Sequence, residues 1–419
     1  MDFSSVYKKI FAIFLGLIIS FLFVEAGARF INLESKNSKT KFLSSDDRFF
    51  FYLPTNKRDS YLFWRLKPLV KFGTISINSK GFRGKEFSRK KDNNTIRIMN
   101  MGDSCTLGVG VSEEETYTVQ LEDILNKNFK YSRRYEFINA GVAGYSSLQG
   151  LRYLESELIK YEPDIITIQY GFNDYIYTIG PSDKEIPQKH PLSIYIEEFV
   201  NKSHFYRFLN RRLSSLAAPI PYPPNRRVNI SDFKKNLREI ITIAKESGAK
   251  VLVLNLPLRP EIPLVVNPIP MPRDGVNGQF VEWLRPAIIG QGSYYANTNF
   301  EGPTSELEEA VRKYPQWAMA HYLLAKRYES TGQKEKAEEE FAKAKEMDID
   351  RRIVGEYNKI IEEVTMEMKT PLIDIAIAFE AQKGKNLFLD ERHPNSIGHR
   401  TIAEVLYHAL KENNLIGLD

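Results

Sequence analysis

From Ile96 onward, short apolar runs alternate with amphipathic stretches, and this alternation constrains the fold more than any other feature of the chain. Ile96 to Met101, Phe137-Ile138, Asp164 to Gln169, Val251 to Leu254 and Leu372-Ile373 read as strands. Between them, Tyr117, Leu121, Ile124 and Leu125 fall on one helical face, and Leu151, Leu154 and Leu158 mark the next helix. Phe233, Leu237, Ile240, Ile241 and Ala244 stripe another, capped by Gly248, and Ile402, Ala403, Leu406 and Leu410 stripe the last. Strands alternating with helices predict a parallel sheet covered by helices on both faces.

The N-terminal segment follows a different rule. Ile10 to Val24 carries no charge, and with Glu25 to Ile31 it gives about 22 residues, close to the ~20 that cross a bilayer as a helix. Glu25 and Arg29 stand i,i+4 and can pair at the interface. Ala26-Gly27-Ala28 imitates a signal-peptide cleavage site, but Glu25 beside it and the long apolar run favour an uncleaved anchor. Orientation is open on charge alone: Lys8 and Lys9 lie on one side, and Arg29, Lys36, Lys39, Lys41 and Arg48 on the other. Residues 1–33 are therefore expected as an anchor, 34–94 as a basic membrane-proximal segment, and 95–412 as the main domain.

Charge and composition narrow the function. Residues 34–95 hold 15 Lys/Arg against 6 Asp/Glu, yet this block abuts an apolar terminus and carries no recognition motif, so nucleic acid is not an expected partner. A single cysteine, Cys105, excludes a disulfide framework and a thiolate zinc cluster. Six histidines without a His-Glu-x-x-His pattern predict no metal site, and no cofactor is expected. Two Pro-, Tyr- and Arg-rich insertions, at 175–230 and 257–350, are too long for plain loops and are expected to wall a site. Within the second, Ala325, Tyr328, Gly332, Ala337, Phe341 and Ala344 have the spacing of a tetratricopeptide repeat, predicting a helical hairpin over 318–347 that could contact another protein. A single copy must lean on neighbouring helices.

Four short blocks carry the chemistry, each just past a strand or before the last helix. Gly102-Asp103-Ser104-Cys105-Thr106 places a serine hydroxyl at a strand-to-helix turn. Asn139-Ala-Gly-Val-Ala-Gly144 lets the backbone approach closely, so that an amide at Gly141 or Gly144 can point into a site. Asn173, in Gly171-Phe172-Asn173-Asp174, offers a side-chain amide to developing negative charge. In Asp390-Glu391-Arg392-His393-Pro394-Asn395, a carboxylate can hold one imidazole nitrogen and leave the other free. Asp103 and Asp174 read as turn-fixing residues, Cys105 as a buried small residue, and His399 and His408 as packing or surface residues of the terminal helix.

In residue type, order and placement these blocks resemble the SGNH hydrolases, the GDSL-type serine esterases and lipases. The resemblance covers about residues 95–412. It implies a flavodoxin-like three-layer α/β/α sandwich, with Ser104 as nucleophile, His393 as general base and Asp390 orienting the imidazole. It also implies an oxyanion hole made by the amides of Ser104 and Gly144 and the side chain of Asn173, the family placing the donor at the second glycine of Asn-x-Gly-x-x-Gly. The anchor, the Asn139 block and Ile77-Asn-Ser-Lys-Gly81-Phe-Arg83-Gly look like membrane-tethered bacterial members, whose catalytic domain is usually extracytoplasmic.

The expected activity is hydrolysis of an ester through an acyl-enzyme, with removal of acetyl groups from a cell-surface polysaccharide or glycolipid as the expected use. Tyr175, Tyr177, Tyr195, Tyr206, Arg207, Arg211, Arg212, Tyr222, Tyr294 and Tyr295 could stack on or pair with sugars, and Ile262 to Pro272 could line a short apolar slot. Transfer of the acyl group to another alcohol, a lipid esterase and a non-catalytic tethered scaffold are the alternatives.

Overall fold

The computed structural model describes residues 3–31, 56–128, 134–178, 181–188, 190–200, 202–216, 225–258, 304–313, 315, 318–382, 384–390 and 392–416. Five parallel strands form the central sheet: β1 (Thr95–Gly102), β2 (Arg134–Gly141), β3 (Ile165–Gln169), β4 (Lys250–Leu254) and β5 (Leu372–Ile373). Their spatial order is β2-β1-β3-β4-β5, the doubly wound order of flavodoxin-like sheets. Every strand pairing in this sheet is parallel, as strands joined through helices require.

Successive side chains of β1 go to opposite faces, and each face has its own core. Ile98 packs with Tyr117, Leu121 and Leu125 of the helix Tyr117–Asn128 and with Ile402, Leu406 and Leu410 of the helix Ser396–Glu412. Met99 and Met101 pack on the other side, with Leu151 and Leu154 of the helix Ser147–Ser156 and Phe233, Leu237, Ile240 and Ile241 of the helix Ile230–Glu246. This is the expected three-layer α/β/α sandwich. A 19-residue helix, Ile349–Glu367, which the sequence reading did not single out, joins the second face, and its Tyr357 hydroxyl donates to the Val228 carbonyl at 2.7 Å.

Residues 56–94 are part of this body. Leu62, Trp64, Leu66, Ile77, Phe82 and Phe87 share one apolar cluster with the sheet and the helix Ser147–Ser156. The Trp64 indole donates to the Ala143 carbonyl at 3.1 Å, and the Tyr145 hydroxyl donates to the Trp64 carbonyl at 2.6 Å. Buried Arg83 donates to the carbonyls of Leu107 at 2.7 Å and Val111 at 2.8 Å. The stretch before the sheet thus braces the loops that follow β1 and β2.

The helices Ala318–Ser330 and Lys334–Met347 pack against each other and against Thr304–Lys313 around Leu307, Ala320, Leu323, Leu324 and Ala337. Gly332, at φ +78°, turns between the pair. Phe341 meets Tyr322 at 5.8 Å between ring centres, and Tyr328 turns its hydroxyl to Glu308 at 2.7 Å.

At the other end, Phe3–Phe30 is one 28-residue helix. Its stretch Tyr7–Phe30 has a mean hydropathy of 2.4, enough in length and composition to cross a membrane. Most of the second insertion's start, with Ile262 to Pro272, Tyr294 and Tyr295, lies outside the described residues, as do Tyr222 and Lys36 to Arg48.

Candidate active site

The register of the sheet brings the first three blocks to one edge. Gly102, the last residue of β1, is opposite both Gly141 at the end of β2 and Gln169 at the end of β3. The chain therefore leaves three adjacent strands at the same level, and Ser104, Gly144 and Asn173 follow within four residues of those exits. This carboxyl edge is where doubly wound sheets place their ligands.

Ser104 opens a short helix, Ser104–Leu107, capped by Asp103, whose side chain accepts the Cys105 amide at 2.9 Å. The Asn139 amide group donates to the Thr106 carbonyl at 2.9 Å and pins this helix to the end of β2. The helix sits so close to β2 that a Cβ on Gly141 would lie 2.2 Å from the Leu107 nitrogen, so only glycine fits there.

The fourth block arrives from the far end of the sequence. The Ser104 hydroxyl lies 2.8 Å from His393 Nε2, and His393 Nδ1 lies 2.6 Å from Asp390 Oδ2. Asp390 Oδ1 also accepts the backbone amides of His393 at 2.7 Å and Arg392 at 2.9 Å. Burial alone would raise the Asp390 carboxyl, but the facing His393 charge and these donors outweigh it and hold the group well below the usual carboxylate range. The carboxylate lies buried beneath a partly exposed imidazole.

Three donors were expected beside Ser104, and their surroundings differ. The Gly141 amide is already used, donating to Asn139 Oδ1 at 3.0 Å. The amides of Ser104 and Gly144 donate to no other group among the described residues. Gly144 has φ +78°, a conformation that disfavours any side chain. Asn173 is buried, and its side-chain amide donates to Asp103 Oδ2 at 3.0 Å and to the Tyr145 carbonyl at 3.1 Å. Both of its hydrogens are engaged, so service to an oxyanion requires sharing one of them.

A buried network missed by sequence reasoning holds the Gly144 loop. Arg227 donates to the Gly144 carbonyl and to Gln149 Oε1, each at 2.7 Å. It also pairs with Asp183 at 3.0 and 3.2 Å, and Asp183 accepts the Ser146 hydroxyl at 2.7 Å. Arg227 and Asp183 come from the two ends of the first insertion, joined by the short ladder Tyr177↔Arg226 and Thr178↔Asn225. One Asp and one Arg, 44 positions apart in irregular sequence, gave no signal of this.

The remaining expected residues are placed as follows. Asp174 accepts the Ser147 amide at 3.0 Å and the Ser147 hydroxyl, at the start of the helix Ser147–Ser156, and burial pushes its carboxyl up to about 7. Cys105 is fully buried, and burial drives its thiol far above the usual range, which leaves it inert as a nucleophile. His399 is buried and accepts the Tyr117 amide at 3.2 Å, its pKa lowered to about 3 by burial, while His408 is exposed on the same helix. Tyr175 is buried in the core beside Tyr357, so it packs the insertion and cannot stack on a ligand.

Residues 101–322, just over half of the chain, match the GDSL-like Lipase/Acylhydrolase family. The chain belongs to that family, and it is accordingly a hydrolase of ester bonds. The match ends before Asp390 and His393, which reach Ser104 only through the fold. Among solved structures the chain is similar to TesA, with 15% identity over 75% of this chain and 98% of that one, at a TM-score of 0.37. It is also similar to the acetyl xylan esterase AlAXEase, with 16% identity, coverages of 75% and 100%, and a TM-score of 0.37. Axe2, an acetylxylan esterase from Geobacillus stearothermophilus, shows 14% identity, coverages of 76% and 93%, and a TM-score of 0.38. No curated protein matches the sequence.

Proposed function

We propose that this esterase is held in a membrane by its N-terminal helix and cleaves its substrate through an acyl-enzyme formed on Ser104. The observation that carries the reading is the hydrogen-bonded chain Ser104–His393–Asp390, at 2.8 and 2.6 Å, with the anion at its closed end. A serine hydroxyl is a poor nucleophile until a base takes its proton during attack. In this reading His393 Nε2 takes that proton and returns it to the leaving alcohol, and Asp390 stabilises the imidazolium formed in between. The Ser104 and Gly144 amides meet the oxyanion, and Asn173 joins them by sharing the hydrogen it now gives to Tyr145. Each donor of this kind contributes about 3–4 kcal/mol to the transition state. Water then attacks the acyl-enzyme, with His393 again as base.

Retention of the anchor is supported by its contacts with the body. Ser203 Oγ donates to Glu25 at 2.6 Å, and the amides of His204 and Phe205 donate to it at 3.0 and 3.1 Å. A helix removed as a leader would leave the start of the helix His204–Leu216 without this cap. Charge leaves the orientation open, and the resemblance to membrane-tethered bacterial members, whose catalytic domain is usually extracytoplasmic, is what supports a catalytic body on that side. A tethered site of this kind suits small acyl groups, acetyl first, on envelope saccharide or glycolipid. The support is the tether itself, because Tyr175 is withdrawn from the aromatic set first considered for stacking on sugars.

Labelling the protein with a fluorophosphonate and locating the adduct by mass spectrometry tests the nucleophile. An adduct on Ser104 is expected, and folded protein that takes up no label sinks the enzyme mechanism. A series of p-nitrophenyl esters run beside an acetylated polysaccharide panel tests the substrate. Preference for acyl chains of eight or more carbons, with no acetate released from any glycan, would overturn the saccharide reading in favour of a lipid esterase.

A further inference from the structure

The helix Pro191–Val200 displays Leu192, Tyr195, Ile196 and Phe199 at i, i+3, i+4 and i+7, a continuous apolar stripe. All four are exposed, from 54% at Ile196 to 73% at Phe199. Apolar side chains at this spacing ordinarily face a core, and here they face outward. What covers them follows from where the helix lies.

Glu25 fixes that position. It is the first charge after the uncharged run Ile10–Val24, so in a spanning helix it marks the edge of the hydrocarbon. Ser203, His204 and Phe205 donate to its carboxylate, and the Arg29 guanidinium, paired with Glu25 at 2.7 Å, reaches the Lys202 carbonyl at 3.4 Å. Phe199 is four residues before Ser203. The C-terminal end of the striped helix is thereby tied to the level of the membrane surface.

The next helix, His204–Leu216, has the composition of a surface-lying segment. It carries Arg207, Arg211 and Arg212 among Phe205, Phe208 and Leu209, with Arg212 over the Phe208 ring at 5.6 Å. Basic residues beside apolar ones suit an interface where lipid headgroups meet acyl chains, and such helices bury their apolar face ~5–10 Å deep. Tyrosine is enriched at that depth, where its ring is apolar and its hydroxyl wet.

The geometry points to the consecutive helices Pro191–Val200 and His204–Leu216 as a membrane-docking element that seats the stripe Leu192, Tyr195, Ile196 and Phe199 in the leaflet adjoining Glu25. The inference rests on the reading of Phe3–Phe30 as a spanning helix. Its consequence is orientation. A single spanning helix leaves a body free to tilt and swing, whereas a second, in-plane contact fixes which face turns to the bilayer. The base of this insertion carries Arg227 and Asp183, which hold the Gly144 loop, so docking and the candidate site share one segment of chain.

Spin labelling of the full chain in liposomes tests this. Three single substitutions are labelled: Phe14→Cys in the N-terminal helix, Phe199→Cys in the stripe, and Lys235→Cys on the exposed face of the helix Ile230–Glu246. Buried Cys105 does not compete for label. Collision with oxygen should exceed collision with a water-soluble nickel complex at Phe14 and Phe199, and the order should invert at Lys235. If Phe14 is lipid-embedded but Phe199 behaves like Lys235, docking fails and the anchor stands. If both reagents are excluded at Phe199, a protein surface covers the stripe and docking is likewise overturned. If Phe14 itself is open to nickel, the spanning helix fails and docking falls with it.

Discussion

Ser104 carries the sharpest residue-level test. Ser104→Ala should lower hydrolysis of a short p-nitrophenyl ester by ~10⁴-fold or more, the scale on which triad groups act, with little change in the thermal melt. Substantial residual activity would move the nucleophile elsewhere, and buried Cys105 is a poor substitute. If His393 is the base, it must be neutral to accept the proton, so activity should rise with pH along one limb. The Asp390 anion favours the imidazolium, so Asp390→Asn should displace that limb to lower pH while reducing the rate. A limb that does not move would separate Asp390 from the base.

Asn173 and Asp174, adjacent in sequence, allow two different tests. If Asn173 shares a hydrogen with the oxyanion, Asn173→Ala should cost ~10²–10³-fold in kcat. A loss below about tenfold would reduce it to a brace between Asp103 and Tyr145. Asp174 speaks through stability. Its folded pKa, raised by burial to about 7, lies above that of an exposed aspartate, so its contribution is full at low pH and is lost as pH rises through the folded value. Between pH 5 and 8 this one group should remove about 2–3 kcal/mol. Asp174→Asn should therefore narrow the gap between melting temperatures at those two pH values, and an unchanged gap would show that Asp174 is ionised throughout.

At the scale of elements, the first insertion is a structural device as much as a wall. Its two ends bring Arg227 and Asp183 together under the Gly144 loop, with both side chains buried. Removing one partner of a buried pair strands the other charge at a cost of about 3–5 kcal/mol. Asp183→Ala should thus lower the melt far more than Lys184→Ala, whose ion pair with Asp232 is half-exposed. Arg227→Lys keeps the charge but loses the fork that grips Gly144, Gln149 and Asp183 at once, so kcat should fall more than KM changes. An effect confined to KM would mean that the network shapes binding and leaves no catalytic role for the Gly144 amide.

The strands and helices of the sandwich were legible in sequence because burial imposes a period. Helix faces such as Phe233, Leu237, Ile240 and Ile241 repeat at helical spacing, and strands such as Val251 to Leu254 are apolar throughout. The helix Ile349–Glu367 escaped because its charged outer face and a mid-helix glycine, Gly355, dilute the pattern. The aromatic residues of the insertion misled for a related reason. Composition does not distinguish Tyr175, sunk in the core, from Tyr195, exposed on its helix.

At the scale of the whole molecule, the body and the N-terminal helix are mechanically joined through Glu25 and Ser203. The full chain should resist extraction from membranes by carbonate or high salt, since ~20 buried apolar residues hold far more strongly than surface charge. Release by salt alone would point to peripheral attachment through the basic residues of 34–95.

The sequence alone determined the layered α/β class and the four blocks at strand ends, since local periodicity and residue type encode both. It could not supply the distances between blocks. Ser104 and His393 are separated by 289 positions, and the family match stops short of the second of them. Only the parallel register of β1, β2 and β3, and the return of the terminal segment across them, brings hydroxyl, imidazole and carboxylate into line. The use of the Gly141 amide, the pairing of Arg227 with Asp183 and the burial of Tyr175 are likewise decisions of tertiary structure. Each depends on which groups meet across long stretches of chain, and long-range meetings leave no local period to read.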